Sequence, residues 1–334
     1  MFRETVIVIG AGMVGVACAL RLQAAGRVVT LVDPGPDERA SSFGNAGHIA
    51  VEQVEPLASW ATVQAAPRMA FGLGGPLDFR LRDVAVWGPW ARRYLAACGR
   101  DRVWQGTEAL RDLAVPAVRA WRDLLDLSGT PELMREDGHA VLWFNAAEAD
   151  RGRRKWATAD TGPATFRPLS DGDCAAYRDQ LTGRRPIAGL RFSGTARLIS
   201  PSLVREALLA AFAARGGERL LGEACALSPQ GVVDLVDGRQ LSADQVLVAA
   251  GARSAPLMAG IGAHVPLIAE RGYSIQFPAP RWPADLPTAV IEDQSIVLAP
   301  HAEGLRATSY VEFARPDSPP DSRKWDRLID RVRA

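Results

Sequence analysis

"TVIVIGAGMVGVACALRLQAAGRVVTLVD", residues 5–33, decides the fold. "TVIVIG" is a short β-branched run of the kind that forms a buried parallel strand. Gly10, Gly12 and Gly15 follow in G-x-G-x-x-G spacing. "VACALRLQAAG" reads as a helix of small and apolar residues that stops at Gly26. "RVVTLVD" is a second strand ending at Asp33. The order strand, glycine turn, helix, strand, with an acidic residue closing it, is the context that gives this spacing meaning. Gly10 permits the tight turn, Gly12 lets a pyrophosphate approach the backbone, and Gly15 lets helix and strand pack closely. The free N–H groups at the helix start, Ala11 and its neighbours, face the phosphates with the positive end of the helix dipole. Asp33 is placed to accept hydrogen bonds from a ribose, which favours FAD or NAD over NADP.

The composition fits such a fold. The chain has 334 residues, enough for about two domains. It is 48% hydrophobic and 23% charged with a net charge of +1, so it carries no electrostatic footprint for nucleic acid. Cys18, Cys98, Cys174 and Cys225 are far apart, which argues against a zinc site or a disulfide framework and fits a reducing compartment. No metal ligand set is expected. The start lacks a secretory pattern and no apolar run spans a bilayer. A cytoplasmic location is expected, with peripheral attachment to the inner face of the membrane left open.

The next segment separates FAD from NAD. "DPGPDERA", with Pro34, Gly35 and Pro36, is a turn-rich loop that runs into "SSFGNAGHIA", residues 41–50. An elongated cofactor needs a second close backbone approach beyond its pyrophosphate, and a run of Ser, Gly, Asn and Ala supplies one. Together, "VIVIGAGMVG", "LVD" and "SSFGNAG" resemble the FAD-dependent amino-acid oxidoreductases of the D-amino-acid oxidase superfamily, and most of all their bacterial D-amino-acid dehydrogenase branch. "VLVAAGARSAPL", residues 246–257, is similar to a third pattern of that family near the cofactor, with Arg253 where the family has Trp.

The resemblance implies an α/β flavoprotein: a Rossmann-like FAD-binding domain and a second α+β substrate domain built on a mainly antiparallel sheet. The expected division is 1–80 plus 195–262 for the flavin domain and 81–194 plus 263–334 for the substrate domain. The implied cofactor is FAD, held by Gly10, Ala11, Gly12, Gly15, Asp33, Ser41, Ser42, Asn45, Ala46, Gly47, Gly251 and Ala252. The implied reaction is deamination of a D-amino acid to a 2-oxo acid by hydride transfer from Cα to flavin N5. Sarcosine, glycine or hydroxyproline oxidation on the same scaffold, or a non-catalytic flavin-binding or accessory chain, are the alternatives. The electron acceptor, whether quinone, carrier protein or oxygen, cannot be read.

Arg271 and Tyr273 are the candidates for a substrate-carboxylate clamp, since Arg offers a planar fork and Tyr a second donor. A structural ion-pair partner and an interface aromatic are the competing readings. His48 is a further catalytic candidate, as a group that tunes the flavin by hydrogen bonding. His139 reads as an ordinary strand residue, and Trp87, Trp90, Trp104 and Trp121 as helix-packing core. The resemblance covers nearly all of this chain, but the family's chains continue for tens of residues further, through a stretch on the substrate side of the flavin and a final Gly-His-Gly-type loop and helix. A fragment is expected; a subunit completed by a partner chain and a degenerate flavin binder are the alternatives.

Overall fold

The computed structural model describes residues 3–35, 40–181, 183–278, 282, 283 and 285–333; Pro36 lies outside them. Contacts divide the chain into two compact units. The first comprises Met1–Gly44, Arg122–Leu133 and Pro201–Ala269. The second comprises Asn45–Trp121, Met134–Ser200 and Glu270–Ala334.

The first unit is built on a four-stranded sheet in the order Glu218–Leu221, Val28–Asp33, Thr5–Ile9, Gln245–Val248. All three pairings are parallel. In chain order the strands lie third, second, first, fourth, so the direction of winding reverses between Thr5–Ile9 and Gln245–Val248. That is where an open α/β sheet leaves a crevice at its strand ends. The alternating apolar residues bury both faces. Ile7, Ile9 and Val32 pack with Val233, Leu235 and Leu257. The first two of these partners come from an antiparallel sheet of Ala224–Leu227, Val232–Leu235 and Gln240–Ser242. The last two of its strands are joined by a hairpin turn with Gly238 at φ +87°.

The helix Met13–Ala24 packs against the helix Pro201–Ala214. Each presents small or branched residues that are fully buried, Val16, Ala19 and Leu20 on one and Val204 and Leu208 on the other. After Ala24 the chain turns through Gly26 at φ +87°, a conformation that costs an L-residue with a Cβ more than it costs glycine. A 3₁₀ turn, Gly251–Arg253, runs straight into the short helix Ser254–Ala259.

The second unit has a mostly antiparallel sheet. Its path is Glu270–Phe277, Gly304–Phe313, Ile296–His301, Thr288–Ile291, His139–Trp143, Ala188–Ser193, Thr165–Pro168. Thr288–Ile291 runs parallel to His139–Trp143, and a short strand, Leu77–Phe79, pairs in parallel with the end of Gly304–Phe313. Tyr310, at φ +55°, marks where that long strand leaves one neighbour for the other. A small antiparallel sheet holds His48–Ile49, Ala196–Leu198 and Met134–Arg135. In "FNAAEAD", residues 144–150, Asn145 caps the helix Ala146–Thr158 by accepting from the Glu148 amide. Trp87 and Trp90 pack on Phe79 and Phe313 as core residues do, but Trp104 is 66% exposed and is not core.

The sequence division set 45–80 and 195–200 with the flavin domain. By contact both segments go with the second unit, because His48–Ile49 pairs with Ala196–Leu198 and Leu77–Phe79 pairs with Gly304–Phe313. No helix among the described residues is long and apolar enough to cross a membrane.

Candidate functional site

The cradle in the first unit is built from the end of Thr5–Ile9 outward. Gly10 sits at φ +102°, and a Cβ there would lie 2.5 Å from the Ala249 carbonyl oxygen. A Cβ on Gly15 would lie 1.7 Å from the Gly10 carbonyl oxygen. Backbone therefore packs on backbone at both ends of the turn, and only glycine fits. Gly12 precedes the helix as its N-cap and makes no side-chain cap hydrogen bond.

Three side chains fix this turn. Asp33, 9% exposed, accepts from the Ala11 amide through Oδ2 at 2.7 Å and from the Gly35 amide through Oδ1 at 2.9 Å. Each carboxylate oxygen keeps a lone pair for a further donor such as a ribose hydroxyl. Ser42 Oγ accepts from the Met13 amide at 3.0 Å, in the first turn of the helix, and its own hydroxyl proton remains able to donate to a phosphate oxygen. Arg205 Nε donates to the Ala11 carbonyl at 2.6 Å, so a cation on the second helix ties down the glycine turn. Arg205 was not foreseen: its side chain reaches the turn from a helix far along the chain, and no spacing in the sequence signals it. Gly251, at φ +58°, and Ala252 follow Gln245–Val248, whose continuation is bonded to the first strand through Ala249 N and Ile9 O at 2.8 Å.

The expected cofactor loop is divided. Ser41 and Ser42 belong to the first unit; Asn45, Ala46, Gly47 and His48 belong to the second. Asn45 Oδ1 accepts from the Gly47 amide at 2.7 Å, an Asx turn that sets the loop's shape. The loop carbonyls are held one by one. Asn45 O accepts from Arg306 Nη1 at 3.0 Å, Ala46 O pairs with His301 Nε2 at 3.0 Å, and Gly47 O accepts from the Leu198 amide at 2.8 Å. Burial holds the His301 imidazole below its usual range, against the pull of the Ala46 carbonyl.

Arg271 and Tyr273 lie elsewhere in the second unit, in a buried charge network. Glu312, fully buried, accepts from Arg271 Nη1 at 2.8 Å, Arg80 Nη2 at 2.9 Å, the Tyr273 hydroxyl at 2.9 Å and Lys324 Nζ at 2.5 Å. Lys324, also fully buried, donates to Asp78 at 2.6 Å as well. The rest of the Arg271 fork serves the carbonyls of Pro316 and Ser318, and the Tyr273 hydroxyl accepts from the Asp321 amide at 2.9 Å. Three carboxylates, Asp78, Glu312 and Asp321, thus meet the cations Arg80, Arg271 and Lys324. Burial works to raise the Glu312 carboxyl, but Lys324 and Tyr273, with Arg80 behind them, hold it below its usual value. Burial likewise opposes the Lys324 ammonium, and Asp78 and Glu312 overcome it and push its pKa up. The clamp expected at Arg271 and Tyr273 is therefore engaged within the protein: the geometry matches the ion-pair reading that competed with it.

His48 meets a different set. It lies near Glu52 and His139, and the two imidazoles meet edge to face with centroids 4.6 Å apart. The sequence did not show this grouping, because His139 stands alone in its own strand.

A reversed-winding parallel sheet with a glycine turn, a closing carboxylate and a serine-capped helix start defines a dinucleotide-binding protein. The chain belongs to the FAD dependent oxidoreductases of the DAO family, whose model matches residues 5–334. FAD is the family's cofactor, and the cradle fits it: between the two packed glycines, Gly12 leaves backbone without a side chain at the helix start, and a Cβ there would meet nothing closer than Ser42 Oγ at 3.5 Å. The chain is 30% identical to a D-amino-acid oxidase of Bradyrhizobium diazoefficiens over 98% of its own length and 78% of that protein. It is 29% identical to a D-amino acid dehydrogenase of Paramagnetospirillum magneticum over 98% of its length and 80% of that protein. Among solved structures it is similar in fold to glycine oxidase from Geobacillus kaustophilus, with a TM-score of 0.63 at 17% identity over 99% of this chain and 78% of the other. An L-amino acid deaminase from Proteus vulgaris matches with a TM-score of 0.59 at 18% identity, over 92% of this chain and 61% of the other.

Proposed function

We propose that this FAD-dependent oxidoreductase oxidises the Cα–N bond of a small D-amino acid, giving an imine that water converts to a 2-oxo acid and ammonia. The observation that carries the reading is the cradle of Gly10, Gly15, Asp33 and Ser42 in a chain whose relatives at about 30% identity are named D-amino-acid oxidase and D-amino acid dehydrogenase. When bound, the flavin supplies the two-electron oxidant; the protein binds and orients.

In this reading Gly10, Ala11 and Gly12 receive the pyrophosphate, Gly15 lets the helix pack close enough for them to do so, and Asp33 holds a ribose. Ser41 and Ser42 add hydroxyl donors, and Gly251 and Ala252 line the strand-end crevice. Asn45, Ala46 and Gly47 contribute backbone shaped by the Asx turn and by Arg306, His301 and Leu198. Arg271 and Tyr273 act through structure, holding the strand Glu270–Phe277 to Glu312, and do not clamp the substrate. No side-chain base is required when the amine arrives neutral, since positioning Cα–H against the oxidant is itself worth several kcal/mol, on the order of 7–11 in well-oriented intramolecular systems.

The electron acceptor in this reading is a quinone, a carrier protein or oxygen, a quinone going with a place on the inner face of the membrane. The test is a panel of D-amino acids, L-amino acids, glycine and N-alkyl amino acids, offered to the FAD-loaded chain with an artificial acceptor. Turnover of D-amino acids with release of ammonia is expected. Turnover of glycine or N-alkyl amino acids alone would transfer the reading to secondary or achiral amines, and turnover of none would remove it.

A further inference from the structure

His48, Glu52 and His139 come together from two places in the second unit. His48 opens the short strand His48–Ile49, Glu52 follows it, and His139 is the first residue of His139–Trp143. Glu52 is 4% exposed and His139 1% exposed. Glu52 Oε1 lies 3.7 Å from His48 Nε2 and 3.8 Å from His139 Nε2. These separations are too long for hydrogen bonds. Both ring nitrogens of His48 and the Oε2 of Glu52 are buried without a hydrogen-bond partner among the described residues. Buried polar atoms in native proteins are nearly all paired, so an imidazole and a carboxylate oxygen left unpaired on neighbouring side chains ask for a missing partner.

The geometry points to a divalent transition-metal site, with His48, Glu52 and His139 as its ligands. One atom from each of the three residues lies within 4.8 Å of the others. Two ligand atoms bound at about 2.1 Å with a tetrahedral angle stand about 3.4 Å apart, and wider angles increase that spacing. The observed 3.7 and 3.8 Å fit one ion shared by the set after small side-chain adjustments.

The surroundings are arranged for ligation. His139 Nδ1 lies 3.0 Å from Thr195 Oγ1, which leaves Nε2 as the atom turned towards Glu52. A partner on the far nitrogen is the usual way a metal-binding imidazole is oriented. The His139 ring also stacks on Phe192, with centroids 4.5 Å apart and planes 9° from parallel, so its orientation is fixed. Two imidazoles and one carboxylate suit zinc and its first-row neighbours and do not suit calcium or magnesium, which take oxygen. Protein ligands from two short segments would leave at least one coordination position for water or a small molecule. The other carboxylate group in this unit, Asp78, Glu312 and Asp321, already has its cation in Lys324.

The site is independent of the flavin reading, and its test does not use turnover. The chain is purified without a polyhistidine tag, freed of metal by chelation and titrated with Co²⁺, followed by its visible ligand-field bands. Zn²⁺ is then added as competitor, and metal content is measured after dialysis. The expected result is one Co²⁺ per chain, displaced by Zn²⁺ and not by Ca²⁺ or Mg²⁺. Glu52→Gln and His48→Gln are each expected to weaken binding at least about 100-fold, and Thr195→Val, which frees the His139 ring, about 10-fold. His264→Gln, a histidine outside the set, leaves it unchanged. Circular dichroism and the zinc-induced rise in melting temperature, expected in the parent chain and lost in Glu52→Gln, separate loss of the site from loss of the fold. Absence of stoichiometric binding would overturn the proposal. So would binding that survives both Glu52→Gln and His48→Gln, or binding that falls with His264→Gln.

Discussion

Replacing Glu312 by Gln tests whether Arg271 and Tyr273 serve structure. The change keeps shape and removes one buried negative charge from a set in which Arg80, Arg271 and Lys324 face Glu312, Asp78 and Asp321. Breaking a buried ion pair by removing one partner costs about 3–5 kcal/mol, because the cations left behind stay desolvated and uncompensated. Asp78 still holds Lys324, and the amide oxygen still accepts from Tyr273, which places the expected loss towards the lower end of that range. Lys324→Met should cost a similar amount. The double variant Glu312→Gln with Lys324→Met should cost less than the two singles together by at least about 1 kcal/mol, since the groups share one network.

The pH dependence has a definite sign. The folded Glu312 carboxyl lies below its ordinary 4.5, so its contribution is complete above that pH and fades as pH falls through the folded value. The stability gap between the parent and Glu312→Gln should therefore be full at neutrality and narrow below about pH 4.5. Denaturant unfolding followed by tryptophan fluorescence, repeated across pH, measures both. A Glu312→Gln loss under about 0.5 kcal/mol, the range of an ordinary surface change, would refute the network account. A gap that does not change with pH would do the same.

Other outcomes follow from the cradle. Gly15→Ala places a methyl 1.7 Å from the Gly10 carbonyl, so the helix must move away; FAD retention after gel filtration should be lost, and melting should fall. Asp33→Ala leaves the Ala11 and Gly35 amides without their acceptor and removes the ribose partner; flavin fluorescence titration should show at least about tenfold weaker binding, matching a loss of 1.4 kcal/mol or more. Arg205→Gln frees the Ala11 carbonyl, and should weaken FAD binding with little change in the circular dichroism spectrum.

The nucleotide fold was legible because its signal is local. Strand, glycine turn, helix and closing acid occupy residues 5–33, and Gly10 and Gly15 answer close contacts within that span or with the chain beside it at Ala249. The antiparallel sheet of the second unit was expected from the family resemblance; its strand at 139–143 shows in the sequence as an apolar run and its strand at 304–313 as an alternation of apolar and polar residues. The side chains that complete sites across long separations were not legible. Arg205 reaches the glycine turn from a distant helix, and His139 finds His48 only because the sheets bring their strands together. Arg271 and Tyr273 illustrate the same limit: an Arg and a Tyr two apart present the chemistry of a carboxylate clamp, and only the strand pairing shows that the carboxylate is Glu312. Trp104, an aromatic among helical residues, faces solvent because its helix has a polar surface broad enough to leave it there.

The most direct test of the central claim is anaerobic mixing of the FAD-loaded chain with single D-amino acids, watching the flavin band near its visible maximum. The account predicts that the oxidised band bleaches with a D-amino acid, and that a 2-oxo acid appears in equal amount. A chain that holds FAD and shows no bleaching with any D-amino acid would contradict it.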